Sequence, residues 1–143
     1  AWLSGVAERV LELTVEYVAG REQFGRAVGS FQAVQHTVAD MTADVLALAN
    51  LVSLALARTQ SEGPGASRAD ARAAKAQAAQ VALRVCEAAL QMHGGIGFTT
   101  DYPLHRFYTS TLALQAYYGE AEYLFAELGR EAIRCGDRVG HMG

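Results

Sequence analysis

Apolar residues recur along most of the chain at steps of three and four, the spacing that lays them along one face of an α-helix. In the opening segment Leu3, Val6, Val10, Leu13 and Tyr17 keep that step. A longer run, Phe31, Val34, Val38, Met41, Val45, Leu48, Val52 and Ala55, keeps it without a break. Ser30, preceded by Gly29, reads as the N-cap of this second helix. From Ser30 to Thr59 it is expected to be about 45 Å long at 1.5 Å per residue. The stretch SEGPGAS, Ser61 to Ser67, breaks the pattern. Ser67 then stands where it would cap a third helix, with Asp70 at the capping-box position. That helix is alanine-rich and carries Val81, Val85, Ala88 and Met92 on one stripe; its small residues let a neighbouring helix come close. Pro103 opens a short helical segment, Leu104 to Tyr117, and a last helix runs from about Gly119 to Cys135 with Tyr123, Leu124 and Leu128. No strand and no internal repeat is expected. Long amphipathic helices joined by short connections predict an all-α domain over residues 1–143. The expected form is an antiparallel up-and-down four-helix bundle with shallow crossings of about 20°.

Composition narrows the class without adding chemistry. The chain has 143 residues, 51% hydrophobic and 19% charged, with net charge −3. That suits a soluble globular domain with a real core. The isoelectric point of about 5.8 and the absence of a Lys/Arg run point away from nucleic acid. The most apolar run, Val45 to Ala57, is shorter than the ~20 residues of a membrane span. Asn50 and Ser53 also interrupt it, so no span is expected. No signal-peptide pattern is seen at the start. Cys86 and Cys135 are far apart and read as reduced thiols of a cytoplasmic protein. The chain is in helical rhythm from its first residues with no initiating methionine, so it is expected to be part of a longer protein.

Three stretches are candidates for chemistry. REQFG, Arg21 to Gly25, places a guanidinium, an amide and an aromatic at a helix-to-loop corner, a set that can hold an anion and stack a ring. LQMHGGIGFTTDYP, Leu90 to Pro103, has Gly94 to end the third helix in a left-handed cap. Gly95 and Gly97 are then surplus to capping, which suggests close approach of a ligand or another chain to bare backbone, with Gln91 one turn earlier able to donate its amide. AYYGEAEY, Ala116 to Tyr123, holds Glu120 and Glu122, two apart and so not on one helical face. His36, His93, His105 and His141 have no metal-binding spacing, and no metal is expected.

Taken together and in order, REQFG, FQAVQHTVADM, QMHGGIGFTTDYP and YYGEAEY resemble the C-terminal helical domain of the acyl-CoA dehydrogenase family, over nearly the whole chain. The resemblance implies a helical domain at the core of a homo- or hetero-tetramer. It also implies one wall of an FAD site, an acyl-CoA substrate oxidised to its 2,3-enoyl form, and an electron-transfer flavoprotein as partner. By the same resemblance Arg21 meets the FAD pyrophosphate of a neighbouring subunit, and Gln23 and Phe24 flank the cofactor. Phe31 and Gln32 make a further contacting pair, and Gln91 with the backbone of Gly94 and Gly95 approaches the ADP portion. The family often places its catalytic glutamate directly before the glycine of this last stretch, where the chain has Tyr118. A phenol of ordinary pKa ~10 is a poor base at neutral pH. Glu120 replaces a threonine that usually touches the subunit's own FAD, and Thr109 and Ser110 replace an Arg-Asp pair. Three explanations stand: a base from an upstream helix, a non-catalytic subunit of a heteromeric enzyme, or Glu120 or Glu122 as substitute base. The contacts to a neighbour's FAD are kept and those to the chain's own are lost, which favours the second. The catalytic residue is left unassigned.

Overall fold

The computed structural model describes residues 1–65 and 67–140, the last five by their backbone alone. Among the described residues the chain is helices joined by short turns, with one small hairpin. The helices are α1 (Trp2–Gly20), α2 (Gln32–Glu62), α3 (Arg68–His93), α4 (Leu104–Gln115) and α5 (Ala121–Gly140). α3 is the axis of the fold: α1, α2, α4 and α5 all pack on it. The alanine content explains this. Ala76, Ala82 and Ala89 are fully buried, and Ala74, Ala78 and Ala79 nearly so. A helix coated in methyl groups lets several neighbours approach from different sides. Val81, Val85 and Cys86 fill the remaining core with Leu48, Val10 and Leu104.

The predicted stripes face inward. Leu3, Val6, Val10 and Leu13 are buried on α1, and Met41, Val45, Leu48 and Ala55 on α2. On α5 Leu124 is buried, but Tyr123, expected on the same stripe, is exposed. By length and composition α2 is long and apolar enough to cross a bilayer, although most of its apolar window is not buried. The run Val45 to Ala57 is only part of this helix, which extends beyond it at both ends, and Leu46, Leu54 and Leu56 of that run are exposed.

Four local expectations are corrected. A strand pair does exist: β1 (Glu22–Gln23) pairs antiparallel with β2 (Arg26–Ala27). Phe24 (φ 54°) and Gly25 (φ 77°) make the two-residue turn between them, the backbone that matches the strands' twist. Ser30 does not cap α2. Its hydroxyl donates to the Ala27 carbonyl at 2.7 Å, and Phe31 is the cap residue. Ser67 precedes α3 but its side chain makes no cap bond; its Oγ donates back to Gly63 and shares a 2.8 Å hydrogen bond with Thr59. Asp70 pairs with Arg58 at 2.9 Å, tying α3 to the end of α2 in place of the capping box. Gly94 has positive φ (61°) with ψ −140°, an extended exit outside the left-handed helical well.

Candidate functional site

Arg21 ends α1. Its N–H donates to the Tyr17 carbonyl, and its own carbonyl accepts from Val28 at 2.7 Å, which closes the base of the hairpin. The guanidinium is exposed and has no ion pair among the described residues. Gln23 is exposed, its amide turned back to the Glu22 carbonyl at 2.8 Å. Phe24 stands at the hairpin tip, 93% exposed. It meets Phe31 edge-on, with centroids 6.3 Å apart. Arg26 lies over the Phe31 ring at 3.8 Å, so one face of that ring is occupied by the chain itself. Gln32 is exposed in the first turn of α2.

The second group lies at the end of α3. Gln91 is exposed and its carbonyl, with that of Leu90, accepts the Gly94 N–H. Gly94 and Gly95 are exposed, and a Cβ on Gly95 would meet nothing within 4 Å. Gly97 is different. A Cβ there would stand 3.0 Å from His93 Cβ and 3.2 Å from the Leu90 carbonyl oxygen. Gly97 therefore serves the fold of its own chain, and the surplus of glycine left for a visitor reduces to Gly95 with the positive-φ Gly94. The hairpin group and the glycine group are brought to one end of the bundle by Tyr17 and His93, whose rings stack at 4.1 Å.

Tyr118 is elsewhere. It sits in the α4–α5 turn with φ 63° and 92% exposure, beside an apolar cavity of about 350 Å³ lined by Trp2, Val52, Lys75, Ala78 and Tyr117 among others. Lys75 Nζ donates to the carbonyls of Gln115 (3.1 Å) and Leu114 (3.4 Å), the last of α4. A cation thus satisfies a helix end that has no glycine cap. Burial lowers the Lys75 ammonium from its ordinary range. Glu120 and Glu122 line a separate surface recess with Gln80. Among the described residues no three His, Cys, Asp or Glu side chains cluster as a metal site; His141 lies outside them. Sequence reasoning missed Lys75, Arg26 and the Tyr17–His93 stack. A lysine inside an alanine run and an aromatic at the last turn of α1 were the available signals.

A family model described as "Acyl-CoA dehydrogenase, C-terminal domain" matches residues 1–133. The acyl-CoA dehydrogenase FadE27 of Mycobacterium tuberculosis is 35% identical over 137 residues, covering 92% of this chain and 37% of that protein. Butyryl-CoA dehydrogenase from Megasphaera elsdenii has the same fold with TM-score 0.86 and 34% identity, over 92% of this chain and 34% of its own. A chain of the ChsE4–ChsE5 complex from Mycobacterium tuberculosis gives TM-score 0.84 and 37% identity, over 92% of this chain and 35% of its own. The chain spans about a third of the length of the curated relatives it matches.

Proposed function

Because the chain belongs to the acyl-CoA dehydrogenase family, as its C-terminal domain, we propose that it forms one wall of an FAD-dependent assembly that oxidises an acyl-CoA thioester to its 2,3-enoyl form. In this reading the chain serves the flavin of a neighbouring subunit. The observation that carries it is a separation: the Arg21 corner and the Tyr118 turn lie at opposite ends of α3. The helix between Lys75 and His93 alone is roughly 27 Å long at 1.5 Å per residue. Two groups so far apart serve two sites.

The residues at the first corner fit a dinucleotide. A guanidinium with no ion pair among the described residues, a side-chain amide and an aromatic ring are all exposed between Arg21 and Phe24, and a Cβ on Gly95 would meet nothing within 4 Å. Arg21 would hold the pyrophosphate through charge-assisted hydrogen bonds, with Gln23 and Phe24 beside it. Phe31 and Gln32 would extend the contact. Gln91 and the main chain of Gly94 and Gly95 would receive the ADP portion. FAD, when bound, would supply the acceptor for the hydride leaving the acyl chain. Tyr118 offers a phenol where a carboxylate base is usual, so this subunit supports binding and assembly while a partner supplies the base.

The chain's own helices are read as an antiparallel up-and-down four-helix bundle, and the exposed leucines of α2 are the surface proposed for its packing at the core of a tetramer. The likeness to a chain of a two-protein complex supports a mixed assembly. An electron-transfer flavoprotein is the proposed electron acceptor, and the cytoplasm the proposed location. The test is to purify the full-length protein alone and with a co-encoded homologue and record visible spectra. Bound flavin only in the mixture is the expected result. A yellow, active protein on its own would reject the half-site reading, and an assembly colourless in every mixture would leave an assembly role alone.

A further inference from the structure

His93 closes α3 with only 4% of its surface exposed. Its Nδ1 lies 2.8 Å from the Ala89 carbonyl oxygen. A carbonyl only accepts, so Nδ1 carries the proton and Nε2 is bare. Among the described residues no polar group reaches that buried Nε2. An apolar side chain would fill the place without an unsatisfied acceptor, so packing alone does not account for a histidine here.

What the ring touches supplies the reason. It stacks on Tyr17 with planes 22° apart. It is tilted against Tyr102 at 4.7 Å, and the two tyrosines meet edge-on at 6.1 Å. The Tyr17 hydroxyl also reaches the His93 carbonyl at 3.4 Å. Tyr17 is the residue whose carbonyl accepts the Arg21 N–H, Gly94 follows His93 directly, and Tyr102 lies in the segment leading into α4. Three rings therefore clamp the end of α1, the end of α3 and the approach to α4 at one point.

We propose that Tyr17, His93 and Tyr102 are positioning residues that set the spacing between the Arg21 guanidinium and the bare backbone of Gly94 and Gly95, pre-forming the cradle for a phosphate-bearing dinucleotide. The proposal rests on the reading under Proposed function. None of the three needs to touch the ligand. Their effect is to remove the cost of ordering two separate corners when it binds.

The experiment uses the full-length protein in the assembly that takes up flavin. FAD affinity is measured by flavin fluorescence, and the melting temperature of the flavin-free assembly alongside it. Tyr17→Leu removes the stack and is expected to weaken FAD by about tenfold. Tyr17→Phe keeps the ring and should restore affinity to within about threefold of wild type. Val81→Ala, a truncation in the core away from the cluster, should lower the melting temperature but leave FAD affinity unchanged. Wild-type affinity in Tyr17→Leu overturns the proposal, as does an equal loss in Val81→Ala, which would mark a general loss of stability. If Tyr17→Leu does not assemble, His93→Leu decides: it removes the middle ring of the stack on Tyr17 and Tyr102, and unchanged affinity sinks the claim. A wild-type assembly that never binds flavin would instead remove the reading on which the proposal rests, and the proposal with it.

Discussion

Burial pushes the His93 imidazole below its ordinary range, and donation to the Ala89 carbonyl offsets this only in part. In the unfolded chain the ring titrates near ~6.5. Below that value the unfolded state binds a proton that the native state does not, so stability is complete above ~6.5 and falls as the pH drops through it. The slope cannot exceed about 1.4 kcal/mol per pH unit for one group, and it levels off below the lowered native value. Denaturant unfolding of the full-length protein between pH 7.5 and 5, compared with His93→Phe, checks this. The wild type should lose stability relative to the variant on acidification, and parallel curves would show that His93 is not buried in the neutral form. Cys86 shows burial acting in the same way on an acid. Burial raises its thiol, the Thr111 hydroxyl at 3.7 Å works against the rise, and Glu87 adds to it. That thiol is a core side chain and not a nucleophile.

The turn after α3 contains glycines that differ by environment and not by sequence. A Cβ on Gly97 would press on His93 and Leu90 at distances tighter than most Cβ contacts, whereas one on Gly95 would face open space. Gly97→Ala should therefore destabilise the protein by about 1–3 kcal/mol through overpacking. Gly95→Ala should leave the melting temperature nearly unchanged and weaken flavin binding, because its methyl group enters the space assigned to the dinucleotide. Thermal melts with flavin titration of both variants separate the two effects. A Gly95→Ala variant with full flavin affinity would take Gly95 out of the cradle. The hairpin illustrates the same dependence on context. Two-residue strands are too short to show a period, and only the Phe-Gly pair at positive φ marks the turn.

For the whole molecule the deciding feature is that α3 is surrounded and α2 is not. One face of α2 packs on α1 and α3, and Leu46 and Leu54 are left outward on another. An exposed apolar stripe on so long a helix is costly in water and favours burial against another subunit. Introducing Leu46→Glu and Leu54→Glu together should dissociate the full-length assembly while preserving its helical circular dichroism. Sedimentation velocity reads the outcome, and an unaltered assembly would remove α2 from the interface. The cross-α3 separation belongs to this scale as well. It turns a list of motif residues into two places, one built around Arg21 and one around Tyr118.

Helix existence, the inward stripes of α1 and α2 and the family were legible from the chain alone, because a 3.6-residue period and ordered motifs are local properties of the sequence. The alanines of α3 announced close packing but not that this helix would be the axis, since a methyl group is compatible with one neighbour or several. Arg21, Gln23 and Phe24 could be named from sequence. That they lie at the same end of the bundle as Gly94 and Gly95 could not, because it depends on Tyr17 stacking on His93, 76 residues away. Gly97 and Gly95 read alike as letters and were told apart only by what stands beside each. Local periodicity determined the elements. Which groups share a corner was decided by side chains distant in sequence, through contacts that form only when the elements pack.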